Sequence, residues 1–453
     1  MAERTYDCVI VGGRCAGAAL AAYLARDGGS VMLLDADRRG TDRVLSTHTI
    51  HPPGMDVLDE LGVGDDVRKT SPPARRLRLQ IDDAHVDVVP PTGRDECCPR
   101  RHRLDGLLQD AAVAAGAELN DQTRVTELIR EGGRVLGVRA ERSGKQEEFR
   151  GRLTVGADGR HSTIAKLAGA KEYLGYDWPR LGYWAYWEPP PAWNGDEYPY
   201  DFLLRFVGSH RRLIFTTDEG EILLGTMPRA DDRERWRTDH EKMYEEDLRS
   251  DPVFEPLVAD GTIASKVVGT LKERFFFRQS AGPGWALVGD AGHHKDPLIG
   301  WGISEALVQA KHLAAAVRLG TDSALERYWR QRDVDALPRF RYGEDRGKPG
   351  SMNPVVPVVL RRVPEVPGLS EHMFRETEYD VNPYELLPVG KVGRWTMAAA
   401  LRGRPGLILD FLRQGRRVSS VQREVMQYRK LLDAVDSNDP RKQGGKAPSI
   451  SSV

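Results

Sequence analysis

Residues 6–35 read YDCVIVGGRCAGAALAAYLARDGGSVMLLD. Residues 6–11 are a short, wholly apolar-leaning β-rich run, the pattern of a parallel strand buried on both faces. The glycine-rich turn at Gly12 and Gly13 leads into an alanine-rich segment that predicts a helix from Cys15, stopped at Gly28 and Gly29. Residues 31–34 are a second apolar strand closed by Asp35, so the stretch predicts one βαβ unit. Its spacing fits a dinucleotide fingerprint, in which glycines turn the chain tightly, admit a pyrophosphate close to backbone and pack helix on strand. The helix N-terminus then faces the phosphates, and the carboxylate at the end of the second strand takes a ribose hydroxyl pair. Arg14 stands where the middle glycine belongs. Two readings follow: its side chain points away and tolerates the turn, or its guanidinium forks onto a phosphate.

Working outward, residues 153–163 (LTVGADGRHST) and 285–307 (WALVGDAGHHKDPLIGWGISEAL) repeat the plan of an apolar strand leading to an Asp and then a helix. In the second, Gly300 and Gly302 open a predicted helix from about Ile303 to Leu319, whose start offers unpaired N–H groups and a positive dipole end. Between these pieces lie strand-like stretches: an alternating pair over 76–89, and an aromatic-rich region over 181–268 that predicts an inserted antiparallel sheet. Past Phe340 the texture changes to proline-rich and then helical, Arg-rich sequence. Residues 434–453 are expected to form a disordered polar tail.

Lys plus Arg (66) and Asp plus Glu (67) nearly cancel, giving a net charge of -1, so a nucleic-acid partner is not expected. The longest apolar run, about residues 15–25, is too short to span a bilayer, and residues 1–13 show no basic-then-apolar leader. Four cysteines with one adjacent pair, Cys97–Cys98, suggest neither a disulfide framework nor a metal site. These features predict a soluble, cytoplasmic protein.

Three motifs in order, the glycine turn, Gly156-Ala157-Asp158-Gly159, and Gly289-Asp290-Ala291 with Pro297, Gly300 and Gly302, resemble the flavoprotein monooxygenase superfamily of the para-hydroxybenzoate hydroxylase type, which also contains geranylgeranyl reductase-like enzymes. The resemblance covers roughly residues 6–319 and implies an α/β fold. A Rossmann-like FAD-binding domain (1–75, 96–178 and 270–339) would carry an inserted antiparallel β-sheet substrate domain (76–95 and 179–269) and a helical C-terminal region (340–433). It further implies that Gly12, Gly13, Arg14, Cys15, Ala16 and Gly17 lie along the FAD pyrophosphate and that Asp35 holds the adenosine ribose. Asp158 belongs to the motif linked to FAD and pyridine-nucleotide binding. Gly289 and Asp290 would meet the flavin-side ribityl or pyrophosphate region, and Pro297, Gly300, Trp301, Gly302 and Ile303 would border the isoalloxazine. Arg43 and Ser46 lie in the loop after the second strand, with Ser46 where many relatives carry an arginine. Arg101 matches an FAD-contacting position, its alternative being a solvated charge beside Arg100 and Arg103.

The function the resemblance implies is an FAD-dependent monooxygenase of hydroxylase or epoxidase type. It would hold FAD non-covalently and use NAD(P)H as reductant and O2 on a small aromatic, isoprenoid or polyketide-like substrate. An FAD-dependent ene-reductase is the alternative, with a halogenase or a non-catalytic binding protein behind it. His48, Trp184 and Tyr186 are the candidates for the substrate pocket. Alternation puts Trp184 and Tyr186 on one strand face, as sheet core or as pocket wall. His48 also fits a plain loop hydrogen bonder, and His293 a structural role. No metal site is expected.

Overall fold

The computed structural model describes residues 5–41, 46, 48–193, 195–379 and 381–437. Strand β1 (Thr5–Val11) pairs in parallel with β2 (Val31–Leu34) on one side and with Lys145–Gly156 on the other. Trp285–Leu287 and Glu118–Asn120 extend this parallel core at its two ends. Burial on both faces explains the uninterrupted apolar sequence: Val9, Ile10, Leu33 and Leu34 have no exposed surface. Helix α1 (Cys15–Arg26) covers one face, and its run of alanines lets it approach the sheet and the helices Arg101–Ala114 and Gly302–Leu319 closely. The strand expected at 153–157 is the end of a longer one. It begins at Lys145 and closes an antiparallel meander with Thr123–Glu131 and Arg134–Arg142, whose polar outward residues hide it from an apolar-run reading.

The second sheet contains the strand pair Leu77–Ile81 and Ala84–Val88 together with Gly182–Glu188, Phe202–Val207, His210–Thr216 and Ile222–Thr226. It is antiparallel except at one seam, where Leu77–Ile81 runs parallel to Phe202–Val207. A small third sheet is antiparallel and joins Glu172–Asp177, Arg274–Arg278 and His293–His294.

Two expectations about the C-terminal region need correction. A single helix, Asp322–Gly347, crosses residue 340, where the sequence changes texture, and it carries Pro338 within it. The last helix, Leu407–Ser437, takes in residues 434–437, which were expected in the tail, while residues 438–453 lie outside the described residues. Among the described residues no helix is long and apolar enough to cross a membrane.

Candidate active site

The turn after β1 is built by close contact. Gly12 has φ +105°, and a Cβ there would sit 2.4 Å from the Ala157 carbonyl oxygen; a Cβ at Gly17 would sit 1.8 Å from that of Gly12. The Gly13 N–H donates to Asp35 Oδ2 at 2.6 Å and the Asp37 N–H to Asp35 Oδ1 at 2.8 Å. Asp35 is thus fixed at the end of β2, and burial raises its pKa above the ordinary carboxylate value. At the start of α1, the Cys15 N–H donates to Asp105 Oδ1 at 3.1 Å, and Arg101 reaches the same carboxylate at 3.0 Å. Arg101 is buried, which removes the reading of a solvated charge. Arg14 lines the cavity described next, with its guanidinium on Asp37 at 2.7 Å.

These groups open onto a cavity of about 430 Å3. It gathers Gly12, Arg14, Cys15, Ala16, Asp35, Ser46, His48, Arg101, Asp158, Asp290, Pro297, Gly300, Gly302 and Ile303. Gly13, Gly17, Gly289 and Trp301 do not line it, and Arg43 lies outside the described residues. The Asp158 carboxylate accepts from the Thr163 and Ile164 N–H groups at 2.7 and 3.1 Å, so it caps the helix Thr163–Ala168 from within the cavity wall. Asp290 faces His294 at 3.1 Å. Burial opposes its charge, but the imidazole holds the carboxyl well below its usual range. Reciprocally, Asp290 and Glu273 raise His294 against the effect of burial. Asp296, also in the cavity wall, is pushed up to about 7 by burial, against the Leu298 N–H at 2.9 Å and the nearby Arg180 charge.

His48 has φ +65° and is buried, with its ring hydrogen-bonded to the Tyr186 hydroxyl and Nδ1 without a partner. Burial, then Arg101 and Arg100, lowers its pKa well below the usual histidine value, so the ring is neutral at pH 7. Tyr186 does not line the cavity itself and contacts His48, which does. Trp184 shares its apolar cluster and touches neither cavity described here. His293 is buried with Nδ1 3.3 Å from Glu305.

A second cavity, of about 120 Å3, lies between the second sheet and the C-terminal helices. Leu77, Leu79, Phe202, Phe215, Leu298 and Trp301 are among its apolar walls, and Thr49, Pro297 and Gly300 are common to both cavities. Its polar corner holds His51, whose Nδ1 lies 2.8 Å from Glu96 and whose Nε2 lies 3.2 Å from the Ile299 carbonyl oxygen. Burial favours the neutral ring, but Glu96 and these hydrogen bonds raise its pKa overall. Sequence reasoning missed Asp105, His51, Glu96 and Asp296. Only Asp296, placed directly before Pro297, carried a local signal.

The residues present fit FAD. The glycine cradle would be filled by any Cβ, and Arg101 Nε and His48 Nδ1 are buried polar atoms without partners beside the cavity that a polar ligand would satisfy. Among the described residues no group of three His, Cys, Asp or Glu side chains is placed to hold a metal ion.

The family model for the FAD binding domain matches residues 5–336. The 6-methylpretetramide 4-monooxygenase of Streptomyces rimosus is 32% identical over 170 residues, 36% of this chain and 40% of that protein. The match therefore spans about two-fifths of that relative's length. The digeranylgeranylglycerophospholipid reductase of Methanocella arvoryzae is 26% identical over 335 residues, 71% of this chain and 81% of that one. Among solved structures, the flavin-dependent brominase Bmp2 superposes with a TM-score of 0.74 at 15% identity, over 89% of this chain and 100% of the other. That likeness establishes the shared fold.

Proposed function

The chain belongs to the FAD binding domain family, and from that premise we propose that it is an FAD-dependent monooxygenase acting on an apolar organic substrate with NAD(P)H and O2. FAD, when bound, would supply the redox chemistry between NAD(P)H and O2. The protein's part is binding, orientation and exclusion of water. The α1 N-terminus and Arg101 would hold the pyrophosphate, Asp35 the adenosine ribose, and Asp290 the hydroxyls nearer the flavin ring. The backbone N–H groups at 300–303 would lie against the ring, where the helix Gly302–Leu319 begins.

One observation carries the reading. The polar, glycine-lined cavity and the largely apolar one share the turn at Pro297 and Gly300, so a ring held in the first would border the chamber of the second. His51 and Glu96 supply the polar corner that would orient a substrate oxygen there.

The extended match to the digeranylgeranylglycerophospholipid reductase supports a second reading, reduction of an isoprenoid double bond. The two separate on oxygen. NADPH consumption coupled to product should require O2 and place one of its oxygen atoms in the product. Turnover of an apolar polyene with NADPH under anaerobic conditions would reject the monooxygenase and establish the reductase.

A further inference from the structure

The C-terminal hairpin, Val389–Leu401 and Leu407–Ser437, carries exposed apolar side chains that no described residue covers. Val389, Met397 and Leu401 recur at multiples of four along the first helix, and Ile408, Leu409 and Leu412 are exposed at the start of the second. Leu401, at the tip, is 82% exposed and Val389 67%. A solvated face does not place its largest aliphatic side chains outward in a row. The opposite side of the hairpin is ordinary core: Val392, Trp395 and Phe411 pack in the apolar cluster that also holds Met373 and Phe215 of the second cavity.

The charge of this hairpin is as one-sided as its hydropathy. Residues 389–417 hold seven Lys or Arg and a single carboxylate, Asp410, in a chain whose net charge is -1. Arg417 turns inward onto Glu344 and Asp345, and Arg413 pairs with Asp410. Lys391, Arg394, Arg402, Arg404 and Arg416 remain on the hairpin, the four arginines exposed and Arg402 and Arg404 in the connection directly after Leu401. Leucines flanked by cations match a surface that is negatively charged outside and apolar beneath. A second copy fits worse, because a two-fold contact would bring the same cationic rims together. A nucleic acid would satisfy the rim but leave the leucines in water.

We propose that this hairpin docks the protein on the surface of an anionic lipid bilayer, with Leu401, Ile408, Leu409 and Leu412 entering the headgroup and acyl boundary. Since no described helix is apolar and long enough to cross, the contact is interfacial. The inference stands apart from the reaction assigned above.

Flotation of the full-length flavin-loaded protein with liposomes tests it. Vesicles of phosphatidylcholine containing about three parts in ten phosphatidylglycerol should carry the protein up the gradient; vesicles of phosphatidylcholine alone should carry about tenfold less or none. Added salt should release the bound fraction. Leu401→Ser with Leu409→Ser, and separately Arg402→Gln with Arg404→Gln, should each lower the partition coefficient about tenfold or more while flavin content stays at the parent level. Failure to float with anionic vesicles overturns the proposal, as does flotation equal on both lipids or unchanged in both variants. A concentration-dependent dimer that Leu401→Ser abolishes, with no flotation, would assign the face to a second copy instead.

Discussion

Asp296 offers the sharpest physical test of the turn that borders both cavities. Its carboxyl is fully enclosed, opens the turn Pro297–Ile299 by accepting from the Leu298 N–H, and titrates near 7 against an ordinary value of 3.8 because burial penalises the charge. A folded-state pKa raised above the unfolded one means that the native state holds a proton the unfolded chain has already lost. Stability therefore falls as pH rises from the unfolded value through the folded one. Using 3.8 and about 7, the group costs roughly 1.5–2 kcal/mol at pH 5 and about 4 kcal/mol at pH 8. Asp296→Asn keeps an acceptor for Leu298 and cannot ionise. Urea unfolding of the flavin-free protein and variant across that range should show the variant gaining about 2–3 kcal/mol on the parent between pH 5 and pH 8. A stability difference that stays constant with pH would refute the claim that Asp296 is held neutral below pH 7. The consequence for function is local: above the titration a charge appears behind the turn at Pro297 and Gly300, so flavin affinity should weaken with pH in the parent and not in Asp296→Asn.

Gly12→Ala should destabilise the protein by at least about 2 kcal/mol in urea and leave it without bound flavin, because the new methyl meets the Ala157 carbonyl and the φ is left-handed. Asp290→Ala should weaken FAD binding about tenfold to a hundredfold by fluorescence titration, at roughly 1–3 kcal/mol for unpaired cofactor hydroxyls. It should also lower the His294 pKa in a nuclear magnetic resonance titration, since Asp290 is the chief group raising it; unchanged affinity would reject the assignment. In Glu96→Gln the His51 ring should become neutral at lower pH than in the parent, as burial is then opposed only by weaker partners, and the same titration reads it directly. Acid precipitation should release all yellow colour, because Cys15 is buried with its thiol pushed upward and sits at the start of α1, offering no nucleophile at a ring edge.

What the sequence made legible was whatever is settled within a few residues. The glycines at 12, 13 and 17 carry their own sterics, and the strand-end aspartates at 35, 158 and 290 follow from a period that switches from two to three and a half. Alternation also sorted the strand Gly182–Glu188 faithfully: Trp184 and Tyr186 fall in one apolar cluster, Tyr183, Ala185 and Trp187 in another. It could not say which cluster faces a cavity, since that depends on which helices lie against the sheet. The second cavity shows the same limit more strongly. His51 meets Glu96 across 45 positions and the Ile299 carbonyl across 248, through an apolar wall assembled from the strands Leu77–Ile81 and Phe202–Val207 and the turn at Pro297. No periodicity links such residues; packing does. The C-terminal hairpin inverts the case. Its arginines were plain in the sequence, but a charged face reads as solvated until the structure shows which apolar residues the fold declines to bury. Leu407 turns inward into the apolar cluster and its neighbours Ile408 and Leu409 outward, although all three are aliphatic. The cofactor cradle is thus local chemistry that a chain carries in its letters. The chamber beside it and the surface that would deliver the protein to a membrane are properties of assembly, which is why their predictions rest on pairs, faces and charges placed by the fold.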